Sequence, residues 1–177
     1  GTGRSHFNRP TDVGFSRDGT VYVSDGYINT RIVRFSPTGK YLGEWGTPGS
    51  QAGEFNLPHG ITVLRKRVYV CDRSNLRVQV FNLQGRYLDQ WQGSRIGRPF
   101  GIATDHRSRV FVIDGGDQPD HTRSRVVILN VTFPDFTISG YHVPHCMGCD
   151  SHLGDFYVFV NELSVVISRA SLVMNMN

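Results

Sequence analysis

Short alternating runs of apolar and polar residues, not helical periodicity, organise this chain. Arg77-Val78-Gln79-Val80-Phe81 alternates with period two, as a half-buried strand does. Val68-Tyr69-Val70-Cys71 is a second short run, ended by Asp72. Arg86-Tyr87-Leu88 follows Gln84-Gly85, a turn signal that recurs as Thr38-Gly39. Ile61 to Val63 supplies one more run behind Pro58. No window of helical length carries a convincing helical period. The pattern predicts four short strands between residues 54 and 96.

The same arrangement repeats along the chain. FNRPTDVGF (7–15), FNLPHGITV (55–63), GRPFGIATD (97–105) and YHVPHCMGC (141–149) share a pattern, with their prolines 41 to 48 residues apart. Behind them, TVYVSDGYINTRIVRFSPTGKYLGEWG (20–46) lines up with RVYVCDRSNLRVQVFNLQGRYLDQW (67–91). RVFVIDGGDQPDHTRSRVVILN (109–130) follows with a longer insertion after its Asp. The units run over 6–53, 54–96, 97–140 and 141–177, within a single domain spanning 1–177. Four strands per unit, repeated, is the signature of β-propeller blades, so the expected fold is all-β. The count is about three and a half blades, whereas closed rings commonly have at least four. An incomplete propeller is therefore expected: a fragment, a truncated frame or half of an assembly. A small four-bladed ring would need the tail NELSVVISRASLVMNMN, which has lost the pattern, to supply its last strands.

In a propeller the first strand of each blade lines the central channel. The residue after each repeated proline is Thr11, His59, Phe100 and His145 in turn, so these four are expected near one axis. Histidines thus occupy alternate units in one register. In a six-bladed ring alternate blades are about a third of a turn apart, which lets such histidines converge on an axial metal. Three imidazoles with an open fourth position are a catalytic zinc arrangement. Read without its neighbours, His59 is equally a loop residue or a hydrogen-bonding strut.

Composition narrows the classes without choosing among them. At 177 residues, 38% apolar with 20 glycines, the chain reads as one turn-rich globular domain. No run approaches the roughly 18–20 apolar residues that span a bilayer. The net charge of +4 comes with arginines scattered singly, so nucleic acid is not the expected partner. Cys71, Cys146 and Cys149 make an odd set and no disulfide framework. The lone Cys146-Met147-Gly148-Cys149 step has no partner pair, which leaves it weak as a metal or redox motif. Asn130-Val131-Thr132 is a glycosylation acceptor only in a secreted chain, and the start GTGRSHFN gives no location.

The stretches DGYINTRIVRF (25–35) and DRSNLRVQVF (72–81) resemble NHL repeats, which usually close as six-bladed rings. Unit three keeps only Asp114 and Ser124-Arg125-Val126-Val127 of that wording. More closely, SDGY (24–27), FNLPHG (55–60), CDR (71–73) and VPH (143–145) resemble peptidyl-α-hydroxyglycine α-amidating lyase. The resemblance runs from about His6 to Val158 and is strongest over 6–92. It implies a peptide substrate ending in α-hydroxyglycine, split into a peptide amide and glyoxylate. It implies zinc held by histidines in Pro-His steps, with His59 and His145 matching the second and third of three. Tyr27 matches a catalytic tyrosine, and Arg73 an active-site arginine. The family's first histidine and a carboxylate-binding arginine would precede Gly1, so catalysis by this chain alone is not expected. Cys146 replaces the Asp that binds a structural calcium, which puts calcium in doubt, and Asn8 and Ile28 replace one disulfide pair.

Each residue also has a plainer role. Tyr27 reads as a blade-capping turn residue, and Arg73 as an ion-pair partner of Asp72 or of a neighbouring blade. Asp25, Asp72 and Asp114 read as turn caps, and His106, His121, His142 and His152 as loop residues. The rival reading is a non-catalytic NHL module that binds protein or RNA through Arg31, Arg34, Arg73 and Arg77. A third is an inactive remnant of the lyase. Open blade faces and unpaired edges are expected to drive self-association or disorder of 160–177.

Overall fold

The computed structural model describes residues 1, 3–4, 6–116 and 124–131 with their side chains, and strands at 138–142, 155–160, 163–168 and 172–174 as backbone. The first sheet holds β1 (Asp12–Phe15), β2 (Val21–Asp25), β3 (Arg31–Phe35) and β4 (Tyr41–Trp45). The second holds β5 (Pro58–Leu64), β6 (Arg67–Asp72), β7 (Arg77–Asn82) and β8 (Tyr87–Gln92), with a 3-10 turn at Arg73–Asn75 between its middle strands. The third holds β9 (Pro99–Thr104), β10 (Arg109–Asp114), β11 (Arg125–Val131) and β12 (Ile138–His142). A three-stranded sheet follows, with β13 (Asp155–Val160), β14 (Leu163–Ser168) and β15 (Leu172–Met174). Every sheet is an antiparallel meander in chain order, as propeller blades are. Among the described residues no helix is long and apolar enough to cross a membrane.

Alternation places the core. Along β6, Val68 and Val70 join Tyr22, Ile32, Ile61 and Phe81 between the first two sheets. Tyr69 and Cys71 point the other way, joining Trp91, Ile102, Val110 and Leu129 between sheets two and three. The second sheet is thus buried on both faces, which explains why β6 lacks polar alternation. The outer face of the first sheet is covered in part, with Val33 buried and Phe35 packed edge-on against Phe7. Val13 and Phe15 on β1 remain 45% and 60% exposed.

The innermost strands approach backbone to backbone. A Cβ built on Gly60 would lie 2.8 Å from Gly101 Cα, so only glycine fits where β5 passes β9. At the matching position in the next unit, a Cβ on Gly101 would meet Ile113 Cδ1 at 2.7 Å.

The repeated Asp, Asn and Arg are more than turn caps. Asp72 accepts from the Asn56 backbone N–H at 2.7 Å, Asn75 at 2.8 Å and Arg77 Nε at 2.8 Å. Arg77 also donates to the carbonyls of Ser50, Gln51 and Glu54, holding the connection between blades one and two. Asp25 makes the same knot with the Asn8 N–H, Asn29 and Arg31. Asp114 makes it with the Arg98 N–H and Arg125. Each clamp is a buried ion pair tying a blade to the segment that leads into it.

Three sheets have four strands each, with strand bounds that differ from those expected, and among the described residues the last has three. β5 begins at Pro58 rather than Ile61 and is irregular between them, so His59 belongs to the strand. β8 runs on to Gln92, past the expected stop at Leu88. The tail that had lost the sequence pattern still supplies β14 and β15.

Candidate functional site

The site grows from the Asp72 clamp. Asp72 fixes Asn56, and the 3-10 turn returns the Arg73 and Ser74 N–H groups to the carbonyls of Leu57 and Asn56. Leu57 takes φ 66°, a left-handed conformation that turns the chain sharply into Pro58. Blade one then grips the main chain on either side of the peptide that follows. Thr11 Oγ1 donates to Pro58 O at 2.9 Å, and Ser24 Oγ to His59 O at 2.6 Å. His59 is held at both main-chain ends, with only 4% of its surface exposed.

Its side chain is held as well. Nδ1 lies 2.8 Å from the carbonyl oxygen of Phe100. A carbonyl oxygen only accepts, so Nδ1 carries the proton and Nε2 of the neutral ring keeps its lone pair. The Tyr27 hydroxyl lies 3.3 Å from Nε2, with the two rings edge to face at 5.7 Å. On the other side the imidazole sits 4.0 Å from the Phe100 ring. Arg73 Cζ lies 5.2 Å over that same ring. Three of the candidate residues, Tyr27, His59 and Arg73, are thereby brought together around Phe100. The fourth, His145, lies outside the described residues, as do Cys146 and Cys149.

Electrostatics follows from burial. Desolvation, then the nearby Arg73 charge, pushes the His59 pKa down to about 4, against a smaller upward pull from the Phe100 carbonyl. The ring is neutral at pH 7, the form that donates to a metal. An imidazole whose other nitrogen is bonded to a carbonyl has the orienting partner that metal-binding histidines use. Among the described residues no three His, Cys, Asp or Glu side chains cluster to hold a metal, and His59 offers a single donor nitrogen, Nε2.

The Asp72 carboxylate accepts from Arg77, Asn75, Gln79 and the Asn56 N–H. Arg73 has its guanidinium over Phe100. Of the arginines in the rival protein- or RNA-binding reading, Arg31 and Arg77 are buried in clamps.

Asp12 and Phe100 were not picked out as site residues. Asp12 stands where units two and three have glycine, and accepts the Ile61 N–H at 3.0 Å across the blade boundary. Burial raises its pKa to about 6. In the metal-free protein the two groups oppose each other. Asp12, raised in the fold, adds stability that is full below about 3.8 and lost as pH rises through 6. His59, depressed in the fold, adds stability that is full above about 6.5 and lost as pH falls through 4. Urea midpoints with chelator at pH 7 and 4.5 are expected to fall more steeply for Asp12→Asn than for the parent. For His59→Gln they rise instead. Parallel profiles in all three proteins would refute this balance.

A family model described as NHL repeat matches residues 55–81. The chain is 37% identical over 124 residues to peptidyl-glycine alpha-amidating monooxygenase B of Xenopus laevis, covering 65% of this chain and 14% of that protein. It is 37% identical over 117 residues to a probable peptidyl-alpha-hydroxyglycine alpha-amidating lyase of Caenorhabditis elegans, covering 64% of this chain and 33% of that one. In fold it matches virginiamycin B lyase from Staphylococcus aureus with a TM-score of 0.60, at 13% identity, over 92% of this chain and 50% of that one. The chain thus spans a third or less of these two sequence relatives and half of the structural one. Repeat, blades and sequence agree: this is an all-β chain of propeller blades with an NHL repeat at 55–81, similar in sequence to the peptidyl-α-hydroxyglycine α-amidating lyases.

Proposed function

We propose that the Tyr27–His59–Arg73 surface is part of a lyase site that cleaves peptidyl-α-hydroxyglycine to a peptide amide and glyoxylate. The observation that carries this reading is the Tyr27 hydroxyl set 3.3 Å from the lone-pair nitrogen of a buried, neutral His59. A scaffold surface has no need of such a pair. Zinc, held by His59 and by His145, would act as a Lewis acid that makes the substrate's α-hydroxyl more acidic. Tyr27, whose hydroxyl lies 3.3 Å from His59 Nε2, would be the group to take the substrate hydroxyl's proton. Arg73 adds a positive field beside it, held in place over Phe100. As the hydroxyl proton leaves, the carbon–nitrogen bond breaks, the carbon becomes the aldehyde of glyoxylate, and the amide nitrogen regains a proton. The partly exposed Tyr27, at 47%, leaves the mouth open to a peptide.

Zinc titration of the chain tests this directly. His59→Ala and His145→Ala are each expected to weaken binding at pH 7.5 by at least about tenfold, by loss of a ligand. Identical zinc binding in all three proteins would overturn the lyase reading. Self-association belongs to the same proposal, with the exposed Val13 and Phe15 as the face involved.

A further inference from the structure

We propose that Phe100 is a positioning residue that holds both the imidazole of His59 and the guanidinium of Arg73; the role rests on reading this surface as the lyase site. One residue makes three separate contacts. Its carbonyl accepts the His59 Nδ1 proton at 2.8 Å. Its ring lies 4.0 Å from the imidazole at a tilt of 40°. The same ring lies beneath Arg73 Cζ at 5.2 Å, a cation–π distance.

The placement follows from the repeat. Phe100 occupies in unit three the register that His59 occupies in unit two, directly after the proline. The close approach of Gly60 to Gly101 brings the two strands together at the next residue of each. The ring of Phe100 therefore stands beside His59 because neighbouring blades repeat one geometry. A half-turn of the imidazole would swap Nδ1 for carbon and break the carbonyl bond. The tilted ring packed against the imidazole opposes that turn, so Nε2 keeps facing Tyr27. A large flat ring also gives the Arg73 guanidinium a surface to rest on beside the site.

Nitrogen-15 NMR of the full chain, labelled at histidine, tests this without metal at pH 7.5. His59→Gln identifies the His59 signals. The parent is expected to show a protonated, pyrrole-like Nδ1 and a bare, pyridine-like Nε2. Phe100→Leu, which keeps an apolar side chain but removes the flat face, is expected to give a mixture of tautomers. Phe100→Tyr is expected to restore the parental pattern. Zinc affinity is expected to fall about 10- to 100-fold in Phe100→Leu and to return in Phe100→Tyr, as for other residues that orient a metal-binding histidine. A parental tautomer pattern in Phe100→Leu would overturn the proposal. So would a parent carrying its proton on Nε2, which needs no variant at all. Zinc binding unchanged by His59→Ala removes the lyase reading, while the tautomers of Phe100→Leu still decide whether Phe100 holds the imidazole.

Discussion

Gly26→Ala is expected to lose about 3 kcal/mol or more of stability, at the upper end of overpacking costs. A Cβ at Gly26 would sit 1.8 Å from Pro58 O and 3.2 Å from Thr11 Cγ2. Pro58 O is main chain and is already held by the Thr11 hydroxyl, so no flexible side chain can swing aside. Blade one must separate from β5 just where Tyr27 meets His59. Stability and the Tyr27–His59 contact should therefore be lost together. Gly39→Ala is the control, because a Cβ there meets nothing within 4 Å. Its φ of 81° still strains an alanine, at a cost of about 1 kcal/mol. Urea unfolding that finds the two variants equally stable would dismiss the close approach as the cause.

Arg77→Met should be comparably damaging for an electrostatic reason. The guanidinium donates to Asp72, Gln90 and the carbonyls of Ser50, Gln51 and Glu54. Removing it leaves a buried carboxylate without its ion partner and takes one donor from each of three carbonyls, of which Gln51 and Glu54 keep another, from the Glu54 N–H and Gln79. Loss of one partner from a buried pair typically costs about 3–5 kcal/mol. Burial already raises the Asp72 pKa, with Arg77 among the groups that lower it. The variant is therefore expected to recover stability on acidification, as Asp72 takes up a proton in the folded state. Adding Asp72→Asn to Arg77→Met should restore part of the loss at pH 7. A loss below about 1 kcal/mol in calorimetry or denaturant melts would show that the clamp is replaceable.

The blades were legible because their signals are local. Period-two runs such as Arg77 to Phe81, turn pairs such as Gln84-Gly85 and the spacing of the prolines need no knowledge of distant contacts. The register of His59 and Phe100 was legible for the same reason: repeated sequence implies repeated position. What escaped was set across blade boundaries. β5 reaches back to Pro58 because Thr11 and Ser24, in another blade, bond its first carbonyls. Arg73 lies over Phe100, a residue of the next blade. The spacing of Asp, Asn and Arg in DRSNLR did signal the clamp, since a repeated trio of charged and amide groups marks a repeated bond set. Asp12 also had a signal, as the one acid at a position that is glycine in the next two units. The repeat shows the register of Phe100 but not its contacts, because these lie in the neighbours that the fold supplies.

The clamps also change where one module ends and the next begins. The repeat boundary at 53/54 is a convenient division of the text, yet Arg77 reaches across it to Ser50 and Gln51. Asn75 reaches across it too, to Gly49. A blade transplanted along the written boundary would leave its anchorage behind, while one taken from about residue 47 would carry it along. Recombination and duplication of such units are thus constrained by a seam that runs several residues upstream of the one that the repeats display.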